Sequence, residues 1–452
     1  MIEREGSSLE PAEHYDLVCV GFGPASLAIA IALHDKGVKA RVRFIERQQS
    51  FKWHGGMLLP DARMQISFLK DLATLRNPQS KFTFINYLKA KDRLVQFVNL
   101  STFLPLREEF NDYMTWCASH FDDIVQYSAE TVSVAPGENR QGRVESWTVQ
   151  YRDVITGRRS LASSKHVVIA IGGAPKIPDS VAHLRGEPNM FHSSSYSWMT
   201  SKLRGPSLGL RRIAVIGGGQ SAAEIFNDLQ RRFDNTAVTL YSSAPALKPS
   251  DDSPFVNEIF DPERVDSFYQ LSEEAKQDSV RNHRATNYSV VRPELLDRLY
   301  ESMYHQRLHE PDKGRWRHQI ATSQGLLGGE RDRDGRIRLR FRDVSTQEES
   351  VAPPSFDFVI VATGYLRNSH EKMLEPTKNL LQSNKFEVER NYRVKYQEDK
   401  VGKDSGIWLQ GCCEGTHGIL DLLYLARKNS VELNRTSMHL EQASVPKYSS
   451  AS

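Results

Sequence analysis

The sequence predicts an α/β protein with two Rossmann-like dinucleotide-binding domains, the second inserted in the first. Two strand–glycine–helix units and the spacing of one carboxylate carry that prediction. In the first unit, Leu17 to Val20 is a short apolar run suited to a strand buried on both faces. Gly21, Gly23 and Pro24 follow, and a helical pattern runs from Ser26 to Leu33. Glycine there lets the chain bend sharply and approach a pyrophosphate, while the helix aims free N–H groups and its positive dipole end at the anion. Ser26 stands where a third glycine or alanine is usual and is small enough for close packing. Glu46, twenty residues past Ser26 and at the end of the strand Arg41–Ile45, supplies a carboxylate for ribose hydroxyls. The second unit is the strand Arg212–Ile216, then Gly217, Gly218, Gly219, Gln220, Ser221 and Ala222, then an amphipathic helix from Ala223 to Phe233. Either unit alone could be a plain βαβ crossover; two in one chain are much less expected by chance.

Composition bounds the rest. A chain of 452 residues holds two or three domains with substantial cores. Charged residues are 25% of the chain and the net charge is +3, which argues against nucleic acid or an anionic membrane as partner. The basic run Arg331 to Arg342 is interleaved with acids and reads as a solvated face. Four cysteines, Cys19, Cys117, Cys412 and Cys413, show no CxxC spacing, which suits a reducing, cytoplasmic setting. Met1 to His14 lacks the apolar core of a signal peptide, and no apolar run is long enough to span a membrane.

The order along the chain follows. Residues 1–13 read as disordered and 14–204 as the first part of the first domain. Within it, Phe51–Met57 is an aromatic, glycine-rich loop whose Trp53 and His54 can lie against a planar ring. Helical patterns cover Phe82–Leu88 and Phe110–Phe121. Thr131–Val134 and Val144–Tyr151 alternate as strands, and Val167–Gly173 is another buried strand. Residues 205–350 form the second domain. Its strand Ala237–Tyr241 ends in Ser242 and Ser243 with no carboxylate, which suits a 2′-phosphorylated cofactor. Asp334-Gly335 marks a hairpin, and Arg336–Phe341 alternates as an exposed strand. Phe356–Tyr365 is expected to return the chain to the first sheet, opening a segment 351–440 before a disordered tail, 441–452. One resident and one visiting dinucleotide make the core of a flavin reductase-type protein. Without a CxxC pair, oxygen chemistry fits better than disulfide reduction. No His/Cys cluster suggests a metal.

Four longer motifs then become specific: Met64-Gln-Ile-Ser-Phe-Leu-Lys-Asp-Leu-Ala-Thr-Leu-Arg76, Asp251-Asp-Ser-Pro-Phe-Val-Asn-Glu-Ile-Phe260, Ala285-Thr-Asn-Tyr-Ser289 and Ala362-Thr-Gly-Tyr365. Together they resemble the fungal L-ornithine N(5)-monooxygenases, flavin-dependent N-hydroxylating enzymes of siderophore biosynthesis, over roughly residues 14 to 418. Phe191-His192 with Tyr196 is similar, more loosely, to a linker signature of related flavin monooxygenases. The resemblance implies FAD and NADPH as cofactors and L-ornithine and molecular oxygen as substrates. It implies hydroxylation of the side-chain amine to N(5)-hydroxyornithine through a C(4a)-hydroperoxyflavin, as the first step of hydroxamate siderophore biosynthesis, in a cytoplasmic homotetramer. It places the flavin on Gly21, Gly23, Pro24, Ser26, Glu46, Trp53, His54, Gln65 and Thr131, with Leu422 and Leu423 contributing backbone. NADPH falls to Gly218, Gly219, Gln220, Ser221, Ser243, Asn287, Tyr288 and Ser289. Substrate falls to Lys70, Asn257, Glu258, Ile259, Phe260 and Leu425, and no side chain is needed as nucleophile.

Two departures stand out. Ser243 replaces the family's phosphate-gripping arginine, leaving Lys248 or Arg212 as substitutes, and Leu425 (or Tyr424) replaces a substrate-facing serine in an altered segment 419–452. They keep open an NADPH oxidase that releases peroxide, a catalytically impaired paralogue, and lysine in place of ornithine. Without the motifs, Lys70 reads as a solvated lysine, Asn257 and Asn287 as caps, and Trp53 as a packed aromatic.

Overall fold

The computed structural model describes residues 13–203, 211–261, 263–286, 288–352 and 354–418. Asn287, Leu422, Leu423 and Leu425, the segments 1–12 and 441–452, and the expected boundary at 204–205 lie outside these.

Two sheets position everything else. The first is built around Glu13–Val20, which pairs in parallel with Val42–Ile45 on one side and Arg159–Ile169 on the other. Val125–Gln126 extends it beyond Val42–Ile45. The long strand Arg159–Ile169 divides its free edge. Its first half pairs antiparallel with Trp147–Asp153, which in turn pairs with Ala129–Pro136, while residues 166–169 pair in parallel with Gly406–Leu409. The parallel centre is covered on both faces, so its strands carry continuous apolar runs, such as Val18–Val20 and Val167–Ile169. The helix Pro24–Asp35 buries every residue from Ser26 to Ala32. Beneath it lies an aromatic cluster of Phe82, Phe84, Tyr87 and Tyr113, on and around the helices Phe84–Ala90 and Arg107–Ala118.

The second sheet has five parallel strands in the order Met190–His192, Phe358–Val361, Arg211–Ile216, Thr236–Tyr241, His318–Ala321. Along Arg211–Ile216, Ile213 and Val215 enter one core and Ala214 and Ile216 the other, the alternation a strand imposes. The helix Gln220–Arg232 covers the first of these cores.

Three expectations are corrected. Phe356–Tyr365 does not return the chain to the first sheet: Phe358–Val361 lies inside the second, between Met190–His192 and Arg211–Ile216. The return is made by Gly406–Leu409, buried throughout. Both are short apolar runs, and such a run does not encode its pairing partner. The strand around Arg336–Phe341 is not simply exposed. Ile337, Leu339 and Phe341 are buried in a three-stranded antiparallel sheet with Gln324–Arg331 and Glu349–Val351, after a Gly335 turn at φ +79°. Finally, Glu13 belongs to the first strand rather than to a disordered leader.

Candidate functional site

The first turn is shaped for an anion. Gly21 has φ +88°, and a Cβ there would stand 2.6 Å from the Ala170 carbonyl oxygen, so only glycine fits. At Gly23 a Cβ would meet nothing within 4 Å, and this residue starts the helix Pro24–Asp35 with no side-chain cap. Open space therefore adjoins free helix N–H groups. Ser26 is fully buried with no partner for its Oγ. Buried Glu46 accepts the Phe22 N–H at 2.7 Å on Oε2 and the Gln48 N–H at 2.8 Å on Oε1. The carboxylate thus pins the turn and keeps lone pairs for ribose hydroxyls. The Glu46 carbonyl accepts the Ala129 N–H at 2.8 Å, which brings in Thr131, whose buried Oγ1 has no partner. Gln410, just past the returning strand, is buried with both amide atoms unpartnered. Orphaned polar atoms around an uncapped helix end fit a phosphate-bearing dinucleotide such as FAD.

The loop expected to meet the flavin ring is held from both sheets. The Trp53 N–H donates to Asn111 Oδ1 at 2.9 Å, and its ring meets Phe110. A Cβ on Gly56 would overlap the Ser194 carbonyl oxygen, so the loop is pressed against the turn that follows Met190–His192. His54 adopts φ +47°, and its ring lies 5.9 Å from that of Tyr365. His54 is exposed in part, while neighbouring protein crowds the ring. Desolvation, helped by the Arg107 and Arg367 charges, pushes its pKa down to about 4. Neighbouring His192 bonds the Gly364 carbonyl at 2.9 Å. Gln65 is exposed on the segment leading to Lys70.

The second turn repeats the geometry. Gly217 has φ +145°, with a Cβ position 2.4 Å from the Ala362 carbonyl oxygen. Gly218 fits against the Ser242 hydroxyl, and Gly219 starts the helix Gln220–Arg232, again without a side-chain cap. Ser289, at φ +56°, lies directly against Gly219. Gln220 accepts the Arg292 N–H at 2.9 Å and donates to Glu224 at 2.9 Å; Ser221 is half-buried beside it. Tyr288 donates to Glu414 at 2.6 Å, and desolvation together with that carboxylate raises its pKa. Ser243 is exposed. Arg212 lies at the opposite end of its strand from Gly217 and does not substitute for the missing arginine. Lys248 pairs in register with Val290, next in sequence to Ser289.

The substrate-side residues come together only in part. Lys70 closes the turn Phe68–Lys70, with Nζ 5.9 Å from the Phe260 ring centroid. Asp71 fixes that turn: it is 3% exposed and accepts from the Ala73, Thr74 and Phe84 N–H groups and the Thr74 hydroxyl, at 2.6 to 2.9 Å. Phe260 ends the turn Glu258–Phe260 that follows the helix Pro254–Asn257. Ile259 lines a neighbouring cavity with Phe268 and His417. Glu258, exposed, pairs with Arg264 at 2.6 Å, and the Asn257 side chain donates to the Asp252 carbonyl at 2.6 Å. Lys70 and Phe260 thus meet, whereas the Asn257 nitrogen serves its own turn.

Sequence reasoning missed the residues that join the units. Arg107 donates through Nη1 and Nη2 to both Glu224 oxygens at 2.8 Å and through Nη1 to the Met57 carbonyl at 3.0 Å. No local motif marks either residue, because they are distant in sequence. Among the described residues, no group of three or more His, Cys, Asp or Glu is placed to hold a metal ion, and no helix is long and apolar enough to cross a membrane.

Comparison with known proteins agrees with this geometry. Residues 13–367 match the family described as L-lysine 6-monooxygenase/L-ornithine 5-monooxygenase. The L-ornithine N(5)-monooxygenase of Ajellomyces capsulatus is 48% identical over 434 residues, covering 95% of this chain and 91% of the relative. That of Emericella nidulans is 46% identical, covering 96% and 92%. Among solved structures, the ornithine hydroxylase PvdA from Pseudomonas aeruginosa superposes with a TM-score of 0.86 at 37% identity, over 94% of this chain and all of that one. The Kutzneria sp. 744 ornithine N-hydroxylase KtzI, solved with reduced FAD, NADP+ and L-ornithine, gives 0.86 at 34% identity, over 95% and 100%. With two uncapped glycine turns, one in each sheet, and this extent of similarity, the chain belongs to the L-lysine 6-monooxygenase/L-ornithine 5-monooxygenase family.

Proposed function

We propose that this chain is an FAD- and NADPH-dependent monooxygenase that hydroxylates the side-chain amine of L-ornithine, opening hydroxamate siderophore biosynthesis. The observation that supports this reading is the pair of uncapped glycine turns, one in each sheet, with the two units tied together by Arg107–Glu224 and Tyr288–Glu414 and Lys70 beside Phe260. FAD held at the Gly21–Gly23 turn would supply the redox chemistry that links NADPH oxidation to dioxygen activation for transfer to the amine.

The chain's own residues bind, orient and exclude water. The free N–H groups at Pro24–Asp35 and Gln220–Arg232 hold the two pyrophosphates, and Glu46 takes ribose hydroxyls. The loop with Trp53 and His54 covers the ring site, and the neutral His54 adds no charge beside the reacting amine. Lys70 meets the amino acid carboxylate, while Asn257, Glu258, Ile259 and Phe260 bound the pocket. The amine must lose its proton before it attacks. A site that orients it and keeps water out supplies the remaining advantage.

The test is ornithine-dependent hydroxylamine formation with NADPH, with lysine run in parallel. Lys70→Ala should raise the ornithine KM about tenfold or more, the worth of a charge-assisted hydrogen bond. Unchanged ornithine saturation would remove Lys70 from the site. Peroxide in place of hydroxylamine would select the NADPH oxidase reading. We also assign the protein to the cytoplasm, in keeping with its four free cysteines, and to a homotetramer. Exposed Val95, Val98, Leu100 and Phe103 offer an apolar contact for the assembly, which light scattering on the purified protein measures.

A further inference from the structure

Asp71 is 3% exposed, so its carboxylate faces protein, whereas Lys70 just before it is half-buried and Leu69 is exposed. Four donors fill that carboxylate. Oδ1 accepts the Ala73 N–H at 2.9 Å and the Thr74 N–H at 2.6 Å. Oδ2 accepts the Thr74 hydroxyl at 2.8 Å and the Phe84 N–H at 2.7 Å. The first three bonds close the chain immediately after Lys70. The fourth reaches thirteen residues on, to the first residue of the helix Phe84–Ala90. The same leg of the turn is held again at Leu72, whose N–H donates to the Tyr113 hydroxyl at 3.2 Å. That hydroxyl in turn donates to the Phe82 carbonyl at 2.8 Å. On the other leg, the Phe68 ring lies 5.5 Å from Phe84 and 5.8 Å from Phe103. Lys70 thus rises from a turn clamped on both legs to the aromatic core, with its Nζ 5.9 Å from the Phe260 ring centroid.

We propose that Asp71 is a positioning residue for the amino acid substrate: it fixes where Lys70 presents its ammonium, and so sets the affinity for ornithine without touching it. This deepens the proposed function and rests on Lys70 meeting the substrate carboxylate. A lysine ammonium is a point charge on a flexible four-carbon stem, with no rigid fork of its own to match a carboxylate. What the protein can fix is the root of that stem. The Asp71 bond to the Phe84 N–H ties the Lys70 backbone to a core helix, and the bonds to Ala73 and Thr74 set the direction in which the chain leaves the turn. A fixed root shrinks the volume the ammonium samples, so less freedom is lost when the substrate carboxylate arrives.

Asp71→Asn tests this at nearly constant volume. It turns one carboxylate oxygen into an amino group, which then faces a donor: Phe84 N–H and the Thr74 hydroxyl on one side, or the Ala73 and Thr74 N–H groups on the other. Thr74→Val is the milder companion, removing one of the four bonds while keeping the shape of the side chain.

The experiment follows hydroxylamine formation and NADPH oxidation by the flavin-loaded protein across ornithine concentrations, with thermal melting recorded for each variant. Asp71→Asn should raise the ornithine KM about fivefold or more, part of the loss that removing a charge-assisted bond gives, with the NADPH KM unchanged. Thr74→Val should raise the ornithine KM by a smaller factor, and it decides the question if Asp71→Asn does not fold. Both substitutions are repeated in Lys70→Ala, where neither should raise the ornithine KM further, because the group they aim is gone. A carboxylate that served the fold alone would instead act equally in both backgrounds. Wild-type ornithine saturation in folded Asp71→Asn (or in Thr74→Val, where Asp71→Asn does not fold) overturns the proposal, and so does an effect that adds in full to that of Lys70→Ala. Lys70→Ala that saturates as the wild type does, or wild-type protein that makes no hydroxylamine from ornithine, overturns the underlying function first and the proposal with it.

Discussion

Arg107 and Glu224 meet as a two-pronged ion pair, each contact 2.8 Å long, that fastens the helix of the second glycine turn to the first domain. Both side chains are largely buried, and Gln220 adds a third bond to the same carboxylate. Removing one partner leaves the other charged and desolvated, a loss of about 3–5 kcal/mol for a buried pair. Arg107→Ala should therefore lower the melting temperature and raise the NADPH KM together, since Gln220 belongs to the turn that holds the nucleotide. Glu224→Gln, which keeps an acceptor, should do both more mildly. Melting and NADPH saturation at wild-type values in Arg107→Ala would show that the pair does not join the units.

The first turn separates two roles that glycines play in one motif. At Gly21 an added methyl would strike the Ala170 backbone in a left-handed conformation, whereas at Gly23 it would enter open space. Gly21→Ala should thus unfold the domain or leave it poorly soluble. Gly23→Ala should fold with a near-native melting temperature but lose FAD, because its methyl occupies room the pyrophosphate needs. Visible flavin absorbance per folded protein, set beside thermal unfolding, distinguishes them. A Gly23→Ala protein with full flavin content would place the phosphate elsewhere.

The legible parts of this molecule were those written locally. Gly21, Glu46 and Gly217 stand within short stretches whose strand, turn and helix fix one another's geometry, and the structure places them accordingly. What stayed hidden depends on pairing between distant segments. Phe358–Val361 and Gly406–Leu409 are both short apolar strands, and only their registers with Arg211–Ile216 and Arg159–Ile169 tell them apart. Arg107 and Glu224 lie 117 residues apart, and neither carries a signature until the sheets are assembled. Lys70 is proposed from its surrounding motif, whereas the next residue, Asp71, carries no local signal although its carboxylate holds that turn.

Ser243 follows the second strand at the position expected to grip a 2′-phosphate, and it is exposed with no carboxylate beside it. A guanidinium there would add a charge-assisted bond to the phosphate, worth about 1.5–3 kcal/mol. Ser243→Arg should therefore lower the NADPH KM about tenfold or more while leaving that for NADH nearly unchanged. Lys248→Ala should have the reverse effect on NADPH if that lysine now serves the phosphate. Both are read as the ratio of kcat/KM for the two nucleotides, and a ratio unmoved by Ser243→Arg would detach this position from cofactor choice.

Two buried imidazoles make stability depend on pH. His166 lies under Trp408 with its Nδ1 unpartnered, and His417 stacks on Tyr392 with its Nε2 on the Arg390 carbonyl. Desolvation above all pushes each pKa from about 6.5 in the unfolded chain down to about 4 in the folded one. Folded protein then refuses a proton that the unfolded chain accepts. The stabilisation is complete above about pH 6.5 and is lost as pH falls from there toward 4. At pH 5 each group should have withdrawn about 2 kcal/mol relative to pH 7.5. Chemical unfolding at the two pH values should show the difference, and His166→Gln should reduce it by about 2 kcal/mol. A denaturation midpoint equal at pH 7.5 and pH 5 would mean that both rings are already protonated in the folded protein.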